Sequence, residues 1–111
     1  MKNAMTAAAA ASAFLFCASA LGHAQGRGDP QRGHELSVRL CANCHAIARN
    51  DSGPVLGDVP GFPAIADRSG LTPEQIAGRI IIPHPAMPGV SLTAAEIRDI
   101  VSYITSLRRA N

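Results

Sequence analysis

The strongest pattern of apolar positions lies near the end of the chain, where the spacing between successive apolar residues is that of one helical face. A helix is therefore predicted to begin at Thr93, because Thr93 and Glu96 have the spacing of a capping box. Arg108 and Arg109 are predicted to lie in its last turn, where positive charge interacts favourably with the helix dipole. The apolar face comprises Ile97, Ile100, Val101, Ile104 and Leu107.

A second helix is predicted from Thr72, with Pro73 in its first position and Gln75 completing another capping box. Pro83 is expected to end it, since proline disfavours helical backbone in the residue before it. No internal repeat and no convincing strand pattern accompanies these segments. The pattern therefore predicts helices joined by irregular loops.

The first helix of the fold is predicted to begin at Asp29, an N-cap residue followed by Pro30 at the first helical position. It is expected to run towards Cys41. Gly33 lies inside it and costs about 1 kcal/mol relative to alanine. Such a glycine indicates a packing reason, here a close crossing with another helix.

Residues 46–70 contain repeated glycine and proline and are predicted to form a long loop. A connection of that length is unusual in a small domain unless it has a function such as binding. We therefore expect the loop to wrap a ligand, with Val55, Leu56, Phe62 and Ile65 as candidates for its lining. The fold class predicted is all-α, with three main helices and long loops around one bound group.

Residues 1–24 have the features of an export signal rather than of the fold. Lys2 precedes an alanine-rich apolar stretch, and small residues follow it. Cleavage is expected after Ala24, which also removes Cys17 and leaves one domain over residues 25–111. In the alternative, the stretch is retained as a membrane anchor, although its length is marginal for a span. Export predicts a periplasmic location.

The predicted mature chain has 9 Arg against 8 Asp and Glu, a formal balance of +1. So small a charge gives no field for binding nucleic acid or an anionic membrane surface. Phe62 and Tyr103 are its only aromatic residues, and 87 residues provide only a modest core. We expect a covalently held apolar group to complete that core, and the chain without it to be largely unfolded.

Residues 41–45 read Cys41-Ala42-Asn43-Cys44-His45, the C-x-x-C-H signal for covalent attachment of haem c. Two thiols at this spacing can form thioether bonds to one porphyrin, and the adjoining imidazole can bind the iron. A zinc site would need further ligands at a recognisable spacing. A redox-active dithiol would be expected near a βαβ pattern. Haem is the favoured interpretation, and these two are its alternatives.

The second axial ligand of the iron is predicted to be Met87, the sole methionine of the mature chain, held between Pro85 and Pro88. His84 is the main competitor, and its ligation would lower the reduction potential. The other ring nitrogen of His45 also needs a partner. The Gly53-Pro54 turn is the predicted source of the accepting carbonyl.

Taken together, these motifs resemble the small class I cytochromes c over nearly the whole mature chain. The resemblance implies that Cys41 and Cys44 bind the porphyrin, that His45 and Met87 are the axial ligands, and that Pro54 supplies the carbonyl. It also implies a crossing of the first and last helices that places Gly33 near Tyr103. The family often has an aromatic residue where this chain has Ser37.

The function expected is electron transfer by an Fe(III)/Fe(II) change, without substrate turnover, between redox partner proteins. The carrier is expected to be a monomer or part of a complex, and to meet a membrane only if the signal segment is retained. One alternative is the haem subunit of a larger periplasmic dehydrogenase. Another is a peroxidase-like or gas-sensing protein with an open iron position.

Overall fold

The computed structural model describes residues 26–51 and 57–110, and over these ranges four helices make up the regular structure. Within these ranges there is no strand, and the predicted all-α fold class is confirmed. The predicted signal segment and residues 52–56 of the long loop lie outside the described residues. The helices are α1 (Pro30–Leu40), α2 (Phe62–Ala66), α3 (Pro73–Ile81) and α4 (Ala94–Ser106).

The starts of α1, α3 and α4 are the predicted ones. The Asp29 carboxylate accepts from the backbone N–H of Gln31 at 2.9 Å. Both predicted capping boxes are present, at Thr72 and Thr93. In the second, the Thr93 N–H donates to Glu96 at 2.8 Å, and this bond holds the pKa of the Glu96 carboxyl below its ordinary value. Local capping chemistry therefore fixes the helix boundaries.

The C-terminal arginines are not in the last turn of α4, and that prediction was wrong. The helix ends at Ser106, so Arg108 and Arg109 lie beyond it. Arg108 donates to the backbone carbonyl of Ala66 at 2.9 Å, and Arg109 pairs with Asp67 at 2.9 Å. The two side chains are directed to α2 and the residues after it because carboxylate and carbonyl acceptors lie within reach there.

A short helix, α2, interrupts the loop predicted over residues 46–70. Gly61 precedes it in extended backbone, and a proline lies within its first two positions. Phe62 is 4% exposed and Ala66 is fully buried, so both ends of the helix face inward. Its five residues are too few to produce a helical periodicity in the sequence. Pro63, which follows Gly61 closely, was the available signal.

The crossing of α1 and α4 is the closest contact between helices. A Cβ atom at Gly33 would overlap the backbone carbonyl of Asp99 and would lie 2.9 Å from the Cβ of Tyr103. The predicted proximity of Gly33 and Tyr103 is confirmed. Ser37, where an aromatic residue was expected by resemblance, is fully buried and donates to the Gly33 carbonyl at 2.7 Å. The hydroxyl of this buried serine is thus paired within α1.

Tyr103 connects α4 to the loop that follows the cysteine motif. Its hydroxyl donates to the Ile47 carbonyl at 3.0 Å, and burial, with a smaller contribution from Asp51, raises the pKa of the phenol. The buried core around it includes Leu36, Phe62 and Ile100. Among the described residues, no helix has the length and apolar character that a membrane span requires.

Candidate haem site

The C-x-x-C-H segment forms a tight turn directly after α1. Cys41 is the C-cap of α1, and its carbonyl accepts from the backbone N–H of Cys44 at 3.1 Å and of His45 at 2.9 Å. The helix is thus continued by one irregular turn. This geometry brings both thiols and the imidazole onto one short stretch of backbone.

Both cysteines of the turn are free thiols and are half-buried. Burial raises the pKa of the Cys41 thiol, and the neighbouring Cys44 raises it further, because burial and nearby negative charge both disfavour the thiolate. Cys41 also lines a large apolar cavity. One thiol of the pair is therefore at the wall of the cavity.

The imidazole of His45 is buried, with 9% of its surface exposed. Its Nδ1 lies 2.8 Å from the backbone carbonyl of Pro60. A carbonyl can only accept, so Nδ1 is the donor, and in the neutral imidazole the lone pair is then on Nε2. The Phe62 ring lies beside the imidazole, with 5.4 Å between ring centroids. Both contacts fix the orientation of the ring.

The carbonyl that holds His45 was predicted in the Gly53-Pro54 turn, and the structure assigns this role to Pro60 instead. Pro54 itself lies outside the described residues. The position of Pro60 follows from local pairing: the Phe62 N–H donates to the Ala46 carbonyl at 2.8 Å. Gly61, between Pro60 and Phe62 in the chain, packs closely on Ala46. A Cβ atom at position 61 would lie 3.1 Å from the Cβ of Ala46. The start of α2 is therefore held against the residue that follows His45.

The apolar cavity beside this turn has a volume of about 290 Å³. His45 lines it from the side of α1, and Met87 and His84 line it from the loop between α3 and α4. The predicted lining residues Phe62 and Ile65 are both present, while Val55 and Leu56 lie outside the described residues. Further apolar walls come from Pro60, Leu71, Ile76, Ile80, Val90, Leu92, Ile100 and Ile104.

Met87 follows a residue in an unfavourable backbone conformation. Ala86 has φ 70°, a left-handed conformation that is uncommon for residues other than glycine and costs of order 1 kcal/mol or more. The Met87 N–H donates to the His84 carbonyl at 3.0 Å, which closes the turn. The strained turn between Pro85 and Pro88 is what directs the chain at Met87 towards the cavity.

His84 lines the same cavity as Met87 and is also half-buried. Its Nδ1 lies 3.1 Å from the Pro85 carbonyl, so this nitrogen is the donor, and in the neutral imidazole the lone pair is on the other nitrogen. Both candidates for the second axial position are therefore in place. The cavity walls alone do not separate them.

Two arginines of the cavity wall were missed by the sequence analysis. Arg68 and Arg79 both line the cavity, and within the described part of the chain neither guanidinium has a hydrogen bond or ion pair. Other arginines, such as Arg49 with Asp67, are paired. Arginine at helix and turn surfaces is too common to have been singled out without knowing which residues face the cavity.

The donor set fits haem c better than the alternatives. One turn carries two free thiols and an imidazole, and Cys41 and His45 of this turn line an apolar cavity. The walls of the cavity also include a thioether and two cationic side chains, a set that matches a porphyrin with two carboxylates. Within residues 26–51 and 57–110, no three metal-ligating side chains converge as a zinc site would require. The helical fold also lacks, over the same ranges, the βαβ setting of a dithiol motif. Fold and site together define a small c-type cytochrome.

Comparison with known proteins agrees with this class. A family model described as cytochrome c oxidase, cbb3-type, subunit III, matches residues 28–104. Cytochrome c-552 of Bradyrhizobium diazoefficiens is 40% identical over 80 residues, which cover 72% of this chain and 76% of the relative. No solved structure matches at a significant level. The chain belongs to this family of c-type cytochromes, which are electron-transfer haem proteins.

Proposed function

We propose that the chain carries one haem c, bound through Cys41 and Cys44, with His45 and Met87 as axial ligands, and that it shuttles single electrons between redox partners. The observation that supports this proposal is that Cys41, His45 and Met87 line one apolar cavity. When bound there, the haem supplies a one-electron Fe(III)/Fe(II) change.

His45 contributes a ring nitrogen, and contacts with Pro60 and Phe62 set the direction of its lone pair. The Nδ1–H···O=C bond to Pro60 fixes the tautomer and the ring plane, and it increases the electron density on Nε2. The Phe62 ring restricts rotation of the imidazole from the side. This ligand therefore does not have to reorient when the charge of the site changes.

Met87 contributes a thioether, which favours the reduced metal and raises the reduction potential. The strained Ala86 and the turn at His84 hold the chain at Met87 in one arrangement. Strain of this kind persists where the surrounding structure requires it, often at functional sites. We therefore favour Met87 over His84 as the ligand.

Arg68 and Arg79 have the right charge to neutralise the two haem carboxylates. Neither has an acidic partner in the described structure, and both line the cavity. A carboxylate and a guanidinium make strong, charge-assisted hydrogen bonds. With both carboxylates paired, the buried site would carry less uncompensated charge.

Filling both axial positions with side chains leaves no site for a substrate, which favours a carrier over an enzyme. A role as a subunit of a larger oxidoreductase is the second candidate, because the matching family is described as an oxidase subunit. The exposure of Ile81 (62%) and Ile82 (75%) beside the cavity wall supports a partner with an apolar contact surface. The proposal also includes export of the protein to the periplasm, with cleavage of the signal segment, residues 1–24.

The axial assignment is tested by the optical spectrum of the oxidised protein. A methionine–iron charge-transfer band is expected in the wild type, lost in Met87→Ala and retained in the matched control His84→Ala. Because the band requires a methionine bound to the iron, a protein with His84 as its ligand would not show the band even in the wild type. Absence of the band from the wild type would remove the Met87 assignment.

Carbon monoxide separates the carrier from a gas-sensing or peroxidase-like protein. The reduced wild type is expected not to bind carbon monoxide under native conditions, whereas Met87→Ala should bind it readily. Ready binding by the wild type would contradict a carrier with two protein ligands.

A further inference from the structure

Residues 66–71 lead from the end of α2 towards α3, and their backbone is best supported at the α2 end. There the N–H groups of Asp67 and Arg68 donate to the carbonyls of Pro63 and Ile65 at 3.0 and 3.3 Å. The internal hydrogen bond from the Leu71 N–H to the Arg68 carbonyl is long, at 3.4 Å, and Gly70 takes a left-handed φ of 75°. Yet Arg68 and Leu71 in this segment form part of the cavity wall. The Leu71 end of this part of the wall therefore has less backbone support than the Ala66 end.

The residues that follow α4 supply that support. The Arg108 guanidinium donates from Nε to the Ala66 carbonyl at 2.9 Å and from Nη2 to the Leu71 carbonyl at 3.1 Å. One planar side chain thus joins the two ends of the segment. The fork geometry of a guanidinium suits two fixed acceptors, while an ammonium group acts as a point charge.

A second set of contacts lies beside the first. Asp67 accepts from the Arg109 side chain at 2.9 Å and from its backbone N–H at 3.0 Å, and it pairs with Arg49 at 2.9 Å. Arg49 also donates to the Leu107 carbonyl. These contacts hold residues 107–109 close to Asp67, whereas Arg108 bridges the carbonyls at the two ends of the segment.

We propose that Arg108 is a positioning residue. By binding the carbonyls of Ala66 and Leu71, it holds the segment 66–71, and with it one wall of the cavity, in place. The part of this proposal that concerns the reduction potential rests on the proposed haem function. A cavity wall that is held in place would exclude water from a haem bound in the cavity. Water entry would favour the more highly charged oxidised state, since burial and local dielectric are among the factors that set the potential of a haem.

The experiment compares Arg108→Gln with Arg109→Gln in the full-length, haem-loaded protein. The two variants lose the same charge one residue apart, but only the first loses the bridge between Ala66 and Leu71. Amide hydrogen exchange over residues 66–71 is expected to accelerate on the order of tenfold in Arg108→Gln and less than about twofold in Arg109→Gln. Exchange in α1 should not change in either variant.

The reduction potential gives a second readout that a purely structural role would not move. Arg108→Gln is expected to shift the oxidation equilibrium about threefold towards the oxidised protein, a fall of about 28 mV at 59 mV per tenfold for one electron. Arg109→Gln, with the same loss of charge, should change it by less than half as much. Arg108→Lys keeps the charge and should restore exchange only in part. If Arg108→Gln does not accumulate as folded protein, Arg108→Lys takes its place in the comparison.

Unchanged exchange over residues 66–71 in Arg108→Gln overturns the proposal. Equal acceleration in Arg109→Gln overturns it too, because the Asp67 contacts or the charge would then be what holds the wall. The exchange result does not depend on the axial ligands. A wild type without the methionine–iron band would therefore refute the axial assignment and leave this test standing.

Discussion

Two faces of α4 are packed in different ways. On one face, α1 approaches so closely that Gly33 lies against the backbone of Asp99. On another, Ile100 and Ile104 of α4 face a cavity across from α3 and its following loop. The contact between α1 and α4 is made by protein atoms alone. On the other face, the cavity lies between α4 and α3.

The difference shows where the fold depends on its prosthetic group. The α1–α4 crossing is specified by small residues and local hydrogen bonds, such as that from the Ser37 hydroxyl to Gly33. The cavity side has apolar walls that need a bulky apolar partner to pack against. Haem c would supply that partner, so the cavity side should depend on haem far more than the crossing does.

The largest effect is expected from removing the attachment thiols. A Cys41→Ala, Cys44→Ala variant should lose most of its helical circular dichroism, because so small a chain cannot bury enough apolar surface alone. Any residual protection from hydrogen exchange is expected in α1 and α4 rather than in α3. Full helix content in this variant would show that the cavity side is also complete without haem.

Gly33→Ala should destabilise the haem-loaded protein by about 3 kcal/mol or more, since an added Cβ meets backbone at Asp99 rather than a flexible side chain. Chemical denaturation measures the change in the free energy of unfolding. Gly78→Ala is the matched control, because it also lies within a helix but has open space around a new Cβ. It should stabilise the protein by about 0.5–1 kcal/mol. Equal effects at the two glycines would contradict the close crossing.

The smallest effect is expected at Asp67, which binds Arg109 beyond the end of α4. The Arg109 N–H, with Arg49 and the Arg109 charge, holds the pKa of the Asp67 carboxyl below its ordinary value. A lowered folded-state pKa stabilises the protein fully above the unfolded value of about 3.9, and this is lost as the pH falls through the folded value.

Denaturation curves of wild type and Asp67→Asn between neutral and acidic pH measure this contribution. The wild type should be the more stable at neutral pH, and the two curves should converge in acid. A difference that stayed constant with pH would show that the contacts of Asp67 do not stabilise the fold through its charge.

The elements that the sequence predicted well are those set by neighbouring residues. Asp29, Thr72 and Thr93 act on backbone groups two or three positions away, so their roles are visible in the local pattern. Gly33 was interpretable because a glycine inside a helix is costly unless close packing requires it. The C-x-x-C-H turn likewise carries its chemistry within five residues.

The features that the sequence did not predict depend on contacts across the fold. His45 and Pro60 are fifteen positions apart, and which of several loop carbonyls meets the imidazole depends on how the loop closes. Arg108 reaches Ala66 across 42 positions, so its departure from α4 could not be seen locally. Arg79 gains its meaning only from the cavity beside it.

Pro60 has two roles: its carbonyl accepts from the Nδ1–H of His45, and the residue itself lines the cavity. Replacing Pro60 would therefore alter both the hydrogen bond that orients the imidazole and the shape of the cavity wall. Gly61 offers no free position either, because a side chain there would meet Ala46 at 3.1 Å. In an engineering effort, the midpoint potential and the fit of the prosthetic group would thus have to be optimised together at this point of the scaffold.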